Sequence, residues 1–210
     1  MKMNLPNKLT VLRLCLVPVI VIFGMLPDTL INPYLSYLIC ALLFIGTSIT
    51  DALDGKIARK YNLITDFGKF LDPVADKFMV IGAMFVILYK FDNLRIPMIL
   101  ALIVVVFREL AVTSMRLVVS TGQNIVIAAN MLGKIKTVSQ VVAITTIFLE
   151  PVLQLIFVKV FNSLSANKLE YIAGAIVPLS WITLIFSIVM TVWSGVNYIK
   201  AYWKYLDPEK

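Results

Sequence analysis

Asp51-Ala52-Leu53-Asp54-Gly55-Lys56-Ile57-Ala58-Arg59 is followed, after eight residues, by Gly68-Lys69-Phe70-Leu71-Asp72-Pro73-Val74-Ala75-Asp76. Five of the twelve acidic residues of the chain (Asp51, Asp54, Asp66, Asp72 and Asp76) fall in this stretch. Asp51 and Asp54 are three apart, and Asp72 and Asp76 are four apart. On a helix each pair shares one face, so two helix ends can aim four carboxylates at one point. Gly55 and Ala58 extend the first face and Gly68 the second, leaving room for a ligand or another backbone to come close. Four ionised carboxylates at close range raise each other's pKa unless cations join them. Hard divalent metals answer that need, and Mg²⁺ in particular combines carboxylates with the phosphate oxygens of a substrate.

Around this stretch the chain is apolar. Of its 210 residues 60% are hydrophobic and 15% charged, with a mean hydropathy of +0.92. That excludes an ordinary soluble domain and fits an all-α, polytopic integral membrane protein. In that setting a solvated helix–loop–helix with scattered acids is disfavoured, because acids at membrane depth are costly and usually functional. The net charge of +7 is explained by Lys and Arg gathered near anionic lipid heads. No Arg-rich aromatic surface favours nucleic acid. There is no histidine, which removes His triads and His metal sites. A general base must then be Asp, Glu, Lys, Tyr or Cys. Cys15 and Cys40 lie in separate apolar runs and read as packing residues. Met1 to Arg13 is polar and basic, and no small-residue cleavage site follows the apolar run after it, so the N-terminus reads as retained.

Six runs are long enough to cross a bilayer: about Leu9–Leu26, Pro33–Asp54, Gly68–Tyr89, Ile96–Val119, Leu132–Phe157 and Tyr171–Tyr198. Pro27, Pro33, Pro97 and Pro151 fall near their ends, where proline is tolerated. Fifteen of the nineteen Lys and Arg residues collect on one side, against Lys90, Arg95, Lys159 and Lys168 on the other. The positive-inside rule then puts both termini and the acidic stretch in the cytoplasm. No repeat, low-complexity segment or appended soluble domain interrupts residues 1–210, which read as one membrane-embedded domain.

Three further features bear on function. Pro6-Asn7-Lys8-Leu9-Thr10-Val11-Leu12-Arg13 reads as a short interfacial helix, with Lys8 and Arg13 as interfacial anchors or with a role at a nucleotide site. Pro73 leaves two starts open for the third helix: at Asp72 as N-cap, or near Thr65 with a proline kink inside. In the fourth span Arg108 and Arg116 are two turns apart and share a face, while Lys134 and Lys136 open the fifth. Together these form a basic pocket suited to a phosphate, which an arginine can grip through two donors. Snorkelling, or an Arg108–Glu109 network between helices, is the plainer account.

The acidic stretch resembles the signature of the CDP-alcohol phosphotransferase family, Asp-x-x-Asp-Gly-x-x-Ala-Arg, eight residues, Gly-x-x-x-Asp-x-x-x-Asp. Asp51, Asp54, Gly55, Ala58, Arg59, Gly68, Asp72 and Asp76 fill every fixed position. The Pro-Asn-x-Leu-Thr-x-x-Arg start is also similar to that of many members. The resemblance implies two divalent cations, Mg²⁺ or Mn²⁺, held by Asp51, Asp54, Asp72 and Asp76, with Asp76 as general base. The small size of Gly55, Ala58 and Gly68 on the carboxylate faces predicts that they form a close-fitting nucleotide-binding wall for the cytidine end, with Arg59 supporting the diphosphate or the loop. The expected reaction moves a phosphatidyl group from CDP-diacylglycerol to an alcohol, releasing CMP. The whole-chain pattern is most similar to members whose acceptor is glycerol 3-phosphate, whose phosphate Arg108, Arg116 and Lys134 would hold. Inositol phosphate or serine is the alternative acceptor, and a homodimer among membrane lipids is expected. From another class, a divalent cation transporter would need its acids spread along a pore at the midplane of several spans.

Overall fold

The computed structural model describes residues 3–61, 63, 65–123, 131–161 and 178–203. These form helices α1 (Leu5–Met25), α2 (Pro33–Lys60), α3 (Asp66–Lys90), α4 (Arg95–Gln123), α5 (Met131–Phe161) and α6 (Pro178–Tyr202), with a short 3₁₀ turn at Asp92–Leu94. No strand occurs among the described residues. Five segments are long and apolar enough to cross a membrane: α1, α2, the 3₁₀ turn with α4, α5 and α6. That is the pattern of a multi-pass membrane protein. Helix α3, with 25 residues, has the length, but Asp72, Asp76 and Lys77 crowd its first half and lower its hydropathy.

Local chemistry sets the helix starts. Asn4 caps α1 by accepting from the Asn7 N–H, and Pro6 sits in the first turn, where its missing N–H is harmless. Asn32 caps α2 in the same way, accepting from the Tyr34 N–H at 3.0 Å ahead of Pro33. Thr65 caps α3 by accepting from the Gly68 N–H at 3.1 Å. The earlier of the two starts left open for the third helix is therefore the one adopted. Pro73 lies inside α3, and Asp72 is not its N-cap.

Three other expectations are corrected. The N-terminal stretch is not a separate interfacial helix, because α1 runs without a break from Leu5. Helix α2 continues past Asp54 to Lys60, so the whole Asp51–Arg59 segment is helical. Pro151 lies within α5, not near its end. The expected start of the sixth span at Tyr171 is outside the described residues, and α6 is seen from Pro178.

Helix α1 packs along both α2 and α3, while α5 packs along α6 and α2, and α4 rests on α6. One stripe of α1 is buried throughout: Asn7, Thr10, Arg13, Val17, Ile20 and Gly24. Its apolar half enters the core formed with Phe44, Val86, Ile87, Leu94, Met98, Ile147 and Phe148. Close approach there depends on small residues, since a Cβ added to Gly82 would lie 2.8 Å from Val17 Cγ1. Cys40 is buried in this core, as expected, whereas Cys15 is on the exposed face of α1.

The start of α6 is capped from a distance. The buried Glu150 carboxylate of α5 accepts from the Leu179 N–H at 3.1 Å, the Ser180 N–H at 2.6 Å and the Ser180 hydroxyl at 2.5 Å. A carboxylate at a helix N-terminus satisfies orphan N–H groups and opposes the positive end of the dipole. Glu150→Ala leaves the buried Ser180 donors without this partner, for a loss of about 1–3 kcal/mol. A clearly lowered melting temperature of the purified protein is the expected result, and an unchanged one removes the cap from this account.

Candidate active site

The polar half of the α1 stripe meets the acidic stretch. Arg13 is fully buried, at 0% exposure. Its Nη1 lies 2.6 Å from Asp51 Oδ1 and 2.5 Å from Asp76 Oδ1, and its Nη2 pairs with Asp54 Oδ2. The Thr10 hydroxyl lies 2.7 Å from Asp72 Oδ1 and 3.4 Å from Asp54 Oδ2. Two neighbouring side chains of α1 thus reach all four signature aspartates. Helix α2 supplies Asp51 and Asp54, helix α3 supplies Asp72 and Asp76, and α1 is wedged between them.

This corrects the interfacial reading of Arg13, although Lys8 is exposed as an anchor would be. A buried guanidinium requires anionic partners, and the aspartates provide three. Sequence reasoning had the signal within reach, since Asn7, Thr10 and Arg13 are spaced by three on one face. It could not tell whether that face meets lipid heads or carboxylates.

The α2–α3 connection is tied down by the start of α1. Asn4 Nδ2 donates to the Leu63 carbonyl at 2.7 Å. The Asn7 amide and the Thr65 hydroxyl exchange contacts of 3.0 and 3.1 Å. A Cβ on Gly68 would sit 2.9 Å from Asn7 Oδ1 and 3.3 Å from Thr65 Oγ1. The small size of Gly68 thus lets α1 close over the capped start of α3. Gly55 is different, because the nearest atom to an added Cβ is Arg59 Nη2 at 3.8 Å. Gly55 and Ala58 are half-buried and Arg59 is exposed, so this face of α2 is open to a ligand.

Beside the aspartates lies a cavity of about 760 Å³. Asp72, Asp76 and Lys77 of α3 line one side of it, and Arg108, Arg116, Lys134 and Lys136 of α4 and α5 line the other. Arg108 donates to Glu109 Oε1 at 2.9 Å and to the Ser194 hydroxyl at 2.8 Å. Lys136, nearly fully buried, lies 2.5 Å from the same Glu109 oxygen. Arg116 Nη2 is 2.6 Å from the Tyr198 hydroxyl, and both arginines lie near the Tyr198 ring, at 5.9 and 5.1 Å. The expected Arg108–Glu109 network is therefore present, and it lies on the wall of the same cavity as Asp72 and Asp76. Lys134 is exposed at the rim. Lys136 was expected in the basic pocket but not singled out as a phosphate ligand; its burial and its bond to Glu109 make it the better-held cation of the two.

Residues 3–193 match the family model for CDP-alcohol phosphatidyltransferase. The chain belongs to this family. Three relatives carry the name CDP-diacylglycerol–glycerol-3-phosphate 3-phosphatidyltransferase. The one from Bacillus subtilis (strain 168) is 46% identical over 70% of this chain and 77% of its own length. Those from Rickettsia bellii (strain RML369-C) and Escherichia coli (strain K12) are 36% and 32% identical. They cover 96% of this chain, and 97% and 96% of their own lengths.

CDP-alcohol phosphatidyltransferases are generally dependent on divalent metal. Among the described residues, no three acidic, Cys or His side chains converge as a metal-ligand set; the carboxylates turn to Arg13 and Thr10 instead. The donors nevertheless fit such ions. Three carboxylates that share one guanidinium are close neighbours, all offer hard oxygen ligands, and no soft donor intrudes.

Proposed function

We propose that this CDP-alcohol phosphatidyltransferase transfers the phosphatidyl group of CDP-diacylglycerol to the hydroxyl of glycerol 3-phosphate, releasing CMP. The observation that carries this reading is the shared cavity. It brings carboxylates suited to a metal-bound diphosphate opposite a cluster of cations suited to an anionic acceptor. The names of the relatives support the same acceptor. The whole chain, 1–210, acts as one domain of six spans in the cell membrane, both termini and the site face the cytoplasm, and two copies associate. The Lys and Arg distribution supports that orientation. A cation transporter is disfavoured, since the carboxylates cluster at one place on α2 and α3 rather than along several helices.

Asp51, Asp54, Asp72 and Asp76 would hold two divalent cations, Mg²⁺ or Mn²⁺, which when bound would neutralise the diphosphate and polarise its oxygens. Arg108, Arg116, Lys134 and Lys136 orient the acceptor phosphate through charge-assisted hydrogen bonds. Asp76, half-exposed on the cavity wall, takes the proton from the acceptor hydroxyl. That oxygen bonds to the β-phosphorus as the bond from phosphorus to the CMP oxygen breaks, and CMP leaves with the electron pair. The open face at Gly55, Ala58 and Arg59 receives the cytidine end, with Gly68 next to it holding α1 in place. Gly55→Leu is expected to raise KM for CDP-diacylglycerol at least about tenfold by bulk, with an unchanged melting temperature because the protein itself leaves that space open. An unchanged KM removes Gly55 from the nucleotide site.

The deciding assay is CMP release from CDP-diacylglycerol by purified protein, with Mg²⁺ or Mn²⁺ and a panel of acceptors. Release that depends on glycerol 3-phosphate is expected. Faster release with serine or inositol phosphate reassigns the acceptor, and none with any alcohol refutes the reading. A chiral β-phosphorus should emerge inverted, because one in-line displacement occurs. Retention would mean an aspartyl-linked intermediate instead.

A further inference from the structure

We infer that the Arg13 guanidinium competes with the divalent cations for the aspartate oxygens, and that their entry displaces it. The inference rests on the metal-site reading above. It concerns a residue of α1 outside the Asp51–Asp76 signature.

Three observations carry it. First, Arg13 is fully buried and bonded to carboxylates from two different helices, Asp51 and Asp54 of α2 and Asp76 of α3. It neutralises part of their charge and links α2 to α3 through α1. Secondly, the oxygens it holds belong to three of the four carboxylates that would hold the metals. Asp51 Oδ1 and Asp76 Oδ1 both rest on Nη1 at 2.5–2.6 Å. Divalent ions take carboxylate oxygens at about 2.0–2.6 Å, so guanidinium and ion cannot share these positions without strong like-charge repulsion. Thirdly, the near end of the guanidinium is not fastened. Arg13 Nε is buried with no hydrogen-bond partner among the described residues. Among the described residues its hydrogen bonds run only through its two terminal nitrogens, so turning away breaks no hydrogen bond there other than those to the aspartates. Thr10 differs, since its neutral hydroxyl on Asp72 does not oppose a cation.

Arg13 would then hold the carboxylates together when divalent ions are scarce, and weaken the binding of those ions. The test uses full-length purified protein, stripped with chelator and free of lipid substrate. Mn²⁺ is titrated with free ion counted by electron paramagnetic resonance, and melting is followed with chelator or saturating Mn²⁺. Arg13→Gln is expected to bind Mn²⁺ at least about tenfold more tightly than the unaltered chain, since a like charge a few ångströms from the ion is removed. It should melt lower in chelator and gain more from Mn²⁺. Arg13→Lys keeps the charge on one nitrogen that cannot serve three carboxylates as a planar fork does, so it should bind Mn²⁺ with intermediate affinity. If Arg13→Gln does not fold, the comparison of Arg13→Lys with the unaltered chain decides. Equal or weaker Mn²⁺ binding in the folded variant overturns the competition while leaving the metal site standing. No Mn²⁺ binding in the unaltered chain overturns both.

Discussion

Asp76→Asn should reduce transfer by about 10²–10⁴-fold, the usual contribution of a positioned proton acceptor, while the protein still inserts and folds. The change is nearly isosteric and keeps an oxygen that can accept from Arg13. Asp51 and Asp54 remain to hold the guanidinium, so α1 should stay docked. What is lost is a carboxylate that lines the cavity shared with Arg108 and Arg116 and can take a proton. Asp66→Asn is the matched control. Asp66 belongs to the same stretch, but it is exposed, and its ion-pair partner is Lys69 at 2.9 Å on the same helix turn. An exposed pair of this kind contributes little, so near-normal activity is expected. Comparable losses in both variants would mean that charge along α3 matters generally and that Asp76 has no special role. Near-normal CMP release by Asp76→Asn would end its assignment as base.

The second large effect is expected at Arg116. Arg116→Ala should raise KM for glycerol 3-phosphate roughly tenfold to a hundredfold, because a hydrogen bond to a charged group contributes about 1.5–3 kcal/mol. The KM for CDP-diacylglycerol should change little. Arg116 is the better choice over Arg108 for this test. Arg108 is mostly buried between Glu109 and Ser194, and Gly195 packs against its side-chain stem, so its removal also disturbs packing. Arg116 is exposed and meets Tyr198 through a 2.6 Å contact to the hydroxyl and by lying over the ring at 5.1 Å. Tyr198→Phe keeps the ring under Arg116 and removes the hydroxyl that Arg116 Nη2 meets, so it should show a smaller rise. Equal losses for both substrates in Arg116→Ala would indicate a disturbed fold instead of a lost phosphate contact.

The amino-acid sequence by itself determined the class of the protein and the parts of its chemistry. Long apolar runs require helices in a bilayer because backbone groups there have no other partners. The paired spacing of Asp51 with Asp54 and of Asp72 with Asp76 placed each pair on one helix face, as is found. Arg108 and Arg116 were legible as sharing one face, and the structure brings them with Lys134 and Lys136 to the wall of one cavity. Helix ends were less legible. Pro73 was compatible with two starts, and only the Thr65 cap on the Gly68 N–H decided between them. Pro151 is likewise compatible with a helix end or a helix interior.

What only the tertiary structure decided is which faces meet. Periodicity fixes the angle of a side chain around its own helix but not the neighbour it points at. Arg13 read as an interfacial anchor or as part of a nucleotide site, and packing of α1 between α2 and α3 turned it onto three aspartates. Gly68 read as room for a ligand, yet Asn7 of α1 fills the space beside it. Glu150 stood out as an acid inside an apolar run, but nothing local named its partners, which are backbone N–H groups of a helix that starts far along the chain. The common cavity of Asp76 and Arg108 arises in the same way, from packing of α3 against α4 and α5, since contacts between distant helices are set by burial and shape rather than by any local pattern.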